Sequence, residues 1–283
     1  MEKPVLNSSE QQFVAVMEEL AAAIGAGDAR RGANCYTNDV IFYEPSTRFL
    51  LRSREEIYHL FGGEKPHKGL LRWHHLGFNS SAQIGFAEFT LNYGEPVHGI
   101  VIVQISEGKI AVWREYYFDS TLAWNAFIKD SAFPTHCRQR TDQMDSSSDT
   151  FITEKDFQHL LQAIAQWSGK VDTEKVADNL TDDVICIELP SGEQHKGREG
   201  LQAYFKEKAR LAPVQLTWHQ SLLNEAQQIG VGEYTLKWDQ KQLHGIMIAK
   251  ICSGRISHWR DYQFASDGDW QEFVGESIVL NPQ

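Results

Sequence analysis

Two pairs of acidic residues recur at matching places in this 283-residue chain, Glu44 with Glu115 and Glu188 with Asp261. If each pair converges in an apolar cavity, the two carboxylates repel and one keeps its proton near neutrality. An acid and a base then face a small substrate, the minimum for isomerisation, cyclisation or water addition. The plainer use of the same residues is cross-strand charge pairing with a cation such as Arg114. His98 and His244 stand at matching positions before Gly99 and Gly245. A histidine in a pocket is a natural proton shuttle. Beside glycine at a strand start it serves equally to bond a backbone carbonyl, and that structural role is favoured. Trp73-His74 and Trp218-His219 repeat in the same way, with tryptophan expected in the core and histidine at the cavity mouth.

Other chemistries lack their residues. There is no GxGxxG, no GxxxxGK[ST] and no GxSxG, so nucleotide and serine hydrolysis have no support. No His, Asp and Glu cluster has helical i, i+4 spacing, so neither a metal nor another cofactor is expected. A net charge of −11 opposes phosphate backbones and anionic membranes. No apolar run reaches the roughly 18 residues of a bilayer span, and the start, MEKPVLNSSEQQ, has no apolar signal core. Cys35, Cys137, Cys186 and Cys252 are scattered. The expectation is a reduced, cytoplasmic protein whose Cys186, inside VICIEL, is core packing.

The elements that must position these residues come in two copies. TNDVIFYEP (37–45) is answered by TDDVICIEL (181–189), and GFAEFTL (85–91) by GVGEYTL (230–236). HGIVIVQISEGKIAVWREYYF (98–118) is answered by HGIMIAKICSGRISHWRDYQF (244–264). A period near 145 residues is too long for a solenoid unit, so each copy is a domain. The domains span 8–130 and 152–277, with a polar, Ser/Asp-rich linker at 131–151. In each copy helices precede strands. Phe13, Val16, Met17, Leu20 and Ile24 recur at helical spacing, as do Phe157, Leu160, Leu161, Ile164 and Trp167. Asp28 and Asp172 can cap a second helix, and Ser53 with Glu56 forms a capping box opening a third. Strands are expected at 40–43, 70–78, 83–93, 97–106 and 109–118, with turns at Glu107-Gly108 and Ser253-Gly254. The fold class is α+β: a curved antiparallel sheet covered by about three N-terminal helices, twice over.

The motifs TNDVIFYEP, Ser53-Arg54-Glu55-Glu56-Ile57 and EGKIAVWREYYFD, with TDDVICIELP, Gly197-Arg198-Glu199-Gly200-Leu201 and SGRISHWRDYQF, resemble the nuclear transport factor 2-like superfamily. The branch is that of SnoaL-like polyketide cyclases and limonene epoxide hydrolases, and the resemblance covers nearly all of both domains. It implies a cone-shaped pocket in each domain for a small apolar organic ligand. The acidic residue of the closing strand would be the base, at Glu115 and Asp261, with Glu44 and Glu188 as partner acids or water-holders. The implied lining is Phe42, Trp73, His74, Glu88, His98, Trp113 and Tyr117 in copy one. In copy two it is Cys186, Trp218, His219, Glu233, His244 and Trp259. The family's first-strand Tyr and Asn read here as Phe42 and Glu44, and as Cys186 and Glu188. Its Arg-x-Asp pair falls where only Glu88 and Glu233 are charged, so limonene epoxide hydrolysis is not expected. The other face of the closing strand, with Arg114 and Arg260, implies an intramolecular pseudo-dimer and room for further homo-oligomerisation. Two functions follow: a cofactor-free acid/base enzyme, or a non-catalytic ligand-binding or assembly module of the same fold.

Overall fold

The structure is a computed structural model describing residues 8–129, 131–134, 151–169, 173–211 and 214–275. Most of the expected linker and the Asp172 cap lie outside the described residues. The chain divides into two units, Met1–Trp124 with Gly268–Gln283, and Asn125–Asp267. Each carries one six-stranded sheet.

In unit 1, α1 (Ser8–Ala26) and α2 (Ala29–Ala33) lead into β1 (Tyr36–Glu44) and β2 (Phe49–Leu51). Then come α3 (Arg54–Leu60), β3 (Leu70–Asn79), β4 (Ile84–Asn92), β5 (Pro96–Ser106) and β6 (Lys109–Asp119). The helix α1 forms because Phe13, Met17, Leu20 and Ile24 fall on one stripe, and all four are buried. Each such burial stabilises by about 1.5–3 kcal/mol. Asp28 caps α2 by accepting from the Arg31 amide, and Ser53 caps α3 by accepting from the Glu56 amide.

The strand order is β2-β1-β6-β5-β4-β3. All neighbours are antiparallel except β1 and β6, which run parallel. The fully antiparallel expectation is corrected at that pair. After the β1–β2 hairpin, α3 carries the chain to the far edge, and the β3-to-β6 meander returns it beside β1 in the same direction. At the β5–β6 turn, Glu107 (φ 51) and Gly108 (φ 73) both take positive φ, the requirement of a tight primed hairpin. Gly99 is needed for a different reason. A Cβ there would lie 2.5 Å from the Tyr116 carbonyl oxygen.

A short helix α4 (Trp124–Phe127) follows β6. Unit 2 repeats the pattern with α5 (Glu154–Gly169), α6 (Thr173–Asp178), β7 (Leu180–Leu189), β8 (Glu193–Lys196) and α7 (Gly197–Leu211). It closes with β9 (Val214–Asn224), β10 (Ile229–Trp238), β11 (Lys241–Cys252) and β12 (Arg255–Ala265), in the order β8-β7-β12-β11-β10-β9. The last helix, α8 (Trp270–Val274), belongs to unit 1, where Phe273 stacks on Tyr116 and its carbonyl accepts from the Tyr43 hydroxyl.

Arg114 and Arg260 face away from the helices and are 2% and 1% exposed. Within unit 2, Arg260 donates to the Ser131 carbonyl at 2.9 Å and lies over the Phe133 ring. Cys35 and Cys186 are buried thiols. Cys252 is disulfide-bonded, which corrects the expectation that all four cysteines are reduced. Among the described residues no helix is long and apolar enough to cross a membrane.

Candidate functional site

The helix-covered face of the first sheet encloses a cavity of about 250 Å³. Strand alternation decides which residues see it. Strand β6 contributes Trp113, Glu115, Tyr117 and Asp119, and β1 contributes Phe42 and Glu44. Phe89 and Leu91 come from β4, and Leu20 and Ile24 from α1. The parallel register opposes Phe42 to Trp113 and Tyr43 to Arg114, so Glu44 stands beside Glu115. Phe42 stacks on Trp113 with centroids 5.9 Å apart, and Tyr36 and Trp73 tilt against the same indole. Trp73 is held by its Nε1, which donates to the Met17 carbonyl at 2.9 Å.

The two carboxyls are held differently. Trp113 Nε1 donates to Glu115 Oε2 at 2.6 Å. Tyr117 Oη and Thr47 Oγ1 both donate to Glu44 Oε2, at 3.1 and 2.9 Å. Glu115 is pushed up from 4.5 to about 8, first by burial and then by the charge of Glu44, while the Trp113 bond pulls the other way. A half-buried carboxyl beside Glu44 holds its proton near neutrality. Burial and Glu44 together also raise the Tyr117 phenol, and burial raises Tyr36. The cavity wall thus carries one proton donor and one acceptor on neighbouring strands, packed round with aromatic rings.

Four residues expected to line this cavity do not: Trp73 shares its face but packs behind it on Phe89 and Trp113, and the other three point away. His74, Glu88 and His98 lie on the opposite face, because Phe89 and Val97 line the cavity and the side chains next to them in β4 and β5 must point away. In β3 His74 points away from inward-facing Trp73, and the bulge after it sets His75 opposite Glu88 on the same outer face. Thr90 Oγ1 links His74 Nε2 and His98 Nδ1, each at 2.8 Å, and His98 Nε2 bonds the Leu122 carbonyl at 2.9 Å. His74 also stacks on Trp124 with centroids 3.8 Å apart. Burial pushes His74 down to about 4 and also lowers His98, so both rings are neutral at physiological pH. Glu88 is buried, 3.7 Å from His75.

Unit 2 repeats that arrangement with His219 Nε2, Thr235 Oγ1 and His244 Nδ1, with Glu233 buried beside them on the same face. Trp218 again donates to a helix carbonyl, that of Leu161, at 2.7 Å. On the other face the register pairs Cys186 with Trp259 and Glu188 with Asp261. Gln263, the counterpart of Tyr117, reaches Glu188 at 3.4 Å and Asp261 at 3.3 Å. Asp261 is one methylene shorter than Glu115. Trp259 Nε1, unlike Trp113 Nε1, has no hydrogen-bond partner among the described residues.

Tyr36 and Asp119 on the cavity wall, and Thr47 bonded to Glu44, were not singled out by the sequence. Asp119 carries a signal, since it continues the inward alternation from Glu115 and Tyr117. Thr47 carries none, because it sits in the β1–β2 turn and is placed only by that turn's geometry.

No family model matches the chain, and no curated relative matches it. Solved structures do. An NTF-2 like protein of unknown function from Burkholderia xenovorans is 22% identical with a TM-score of 0.35, over 41% of this chain and 91% of that one. A putative ketosteroid isomerase from Kribbella flavida is 17% identical with a TM-score of 0.36, over 44% and 92%. An epoxide hydrolase of M. tuberculosis described as LEH-like is 16% identical with a TM-score of 0.35, over 43% and 90%. The chain is similar to nuclear transport factor 2-like proteins, and it carries the helices-then-sheet layout twice in tandem.

Proposed function

We propose that the cavity of unit 1 binds a small, largely apolar organic molecule and moves a proton on it. Glu44 takes a proton from carbon or from a water, and Glu115 gives its proton to the oxygen on which negative charge develops. This reverses the roles suggested by the resemblance, which made Glu115 the base. The observation that carries the reading is the Glu115 carboxyl, half-buried on the cavity wall beside Glu44 with an indole N–H fixing its orientation. Isomerisation, cyclisation and water addition all need this pair and nothing more.

The aromatic lining favours a flat or cyclic molecule, and the volume of about 250 Å³ favours a small one. The test is a thermal-shift screen of cyclic ketones, enones and epoxides, followed by turnover assays on the hits. Ligand at a hundredfold over its Kd should add about 2.7 kcal/mol to the stability of the folded protein. Hits should bind wild type and Glu115→Gln alike but turn over only with wild type. Hits that bind both and turn over with neither would assign the cavity to ligand binding without catalysis.

A further inference from the structure

We infer that unit 2 holds a divalent transition-metal ion, such as Zn²⁺, between Glu188 of β7 and Glu193 and His195 of β8. The observation is geometric. One ligand atom from each of these three side chains lies within 4.8 Å of the other two, and His195 Nε2 is already 3.6 Å from Glu193 Oε1. Ligands about 2.0–2.1 Å from a tetrahedral zinc stand about 3.4 Å apart, so small side-chain rotations close the set. One imidazole and two carboxylates suit a borderline metal better than calcium or magnesium, which prefer oxygen alone.

The hairpin supplies the reason these residues meet. The antiparallel register opposes Glu188 to Glu193 and Cys186 to His195, so all four share the face that also bears Asp261. The i, i+4 criterion applied to the sequence looks along a helix and misses a set assembled across a turn. The His195 ring packs on Tyr204, with centroids 4.1 Å apart. Its Nε2 is shielded from water and has no hydrogen-bond partner among the described residues.

One further observation points to a ligand here. Trp259, 6% exposed and paired in register with Cys186, keeps a buried Nε1–H without a partner among the described residues. Its counterpart Trp113 spends that N–H on Glu115 at the cavity wall. Three protein ligands leave a fourth metal position open, and the buried Trp259 donor lies on the same face of the sheet as Glu188 and His195. Unit 1 is the internal comparison. There the residues opposing Glu44 and Phe42 are Phe49 and Leu51, so the first copy has none of the added donors.

The experiment uses the full chain stripped by chelator, then titrated with Zn²⁺ by calorimetry and with Co²⁺ by visible absorption. The expected result is one ion per chain and a tetrahedral Co²⁺ band in the wild type. Glu193→Gln should weaken binding by at least about tenfold, and His195→Ala should abolish the band. The Glu193 side chain is 60% exposed, so its variant keeps the test valid if His195→Ala fails to fold. Binding within twofold of wild type in Glu193→Gln would place the ion elsewhere and overturn the inference, as would no binding at all.

Discussion

Glu115 is a carboxyl whose surroundings favour the protonated form, and this has a consequence for stability. The unfolded chain releases that proton near 4.5 and the folded chain near 8. Between those values the folded state binds more protons than the unfolded one. The contribution of this residue is therefore whole below about pH 4.5, falls by up to about 1.4 kcal/mol per pH unit as pH rises, and levels off above 8. Melting temperature measured from pH 5 to pH 9 should decline for wild type, and Glu115→Gln should flatten that decline. An equal slope in the variant would assign the effect to other groups. Trp113 tests the same site from the other side. Its bond to Glu115 lowers the carboxyl, so Trp113→Phe should move the Glu115 titration further upward. A downward movement would mean that the indole bond does not hold the ionised form.

Gly99 faces the Tyr116 carbonyl at a distance no Cβ tolerates, so Gly99→Ala should cost roughly 1–3 kcal/mol, read by chemical denaturation. A neutral result would mean that β5 and β6 can spread without loss. This is also where sequence and structure part company. The strands were legible because Val, Ile, Phe and Tyr alternate over long runs. Expectations of 70–78, 83–93, 97–106 and 109–118 meet observed strands at 70–79, 84–92, 96–106 and 109–119. Their neighbours were not legible, since alternation says which face a residue takes but not which strand lies beside it. The parallel β1–β6 pair, which sets Glu44 beside Glu115, is a property of the return path of the meander. His74, Glu88 and His98 were misplaced for a related reason. Chemistry singled them out, but the strand parity fixed by Trp73, Phe89 and Val97 sends them to the other face.

For the whole molecule, one architecture has been kept twice while its chemistry has diverged. The tryptophan-to-helix bond and the His–Thr–His link are the same in both units, and both serve the frame. The residues sharing this sheet face differ: Phe42, Phe49, Leu51, Glu115 and Tyr117 become Cys186, Glu193, His195, Asp261 and Gln263. An apolar ligand that stabilises the chain through unit 1 should lose its thermal shift when Phe42 is changed to Ala. It should keep that shift in Cys186→Ala. Equal losses would mean that both units take the same ligand.

The central claim is that Glu115 carries a proton next to the Glu44 carboxylate at neutral pH. Carbon NMR of the Glu115 side-chain carboxyl, titrated in the full-length protein and in Glu44→Gln, tests it directly. The expected midpoint is near 8 in wild type. In the variant it should be lower, still above the ordinary 4.5 because burial persists without the neighbouring charge. A wild-type midpoint at the ordinary carboxyl value, unmoved by Glu44→Gln, would contradict it.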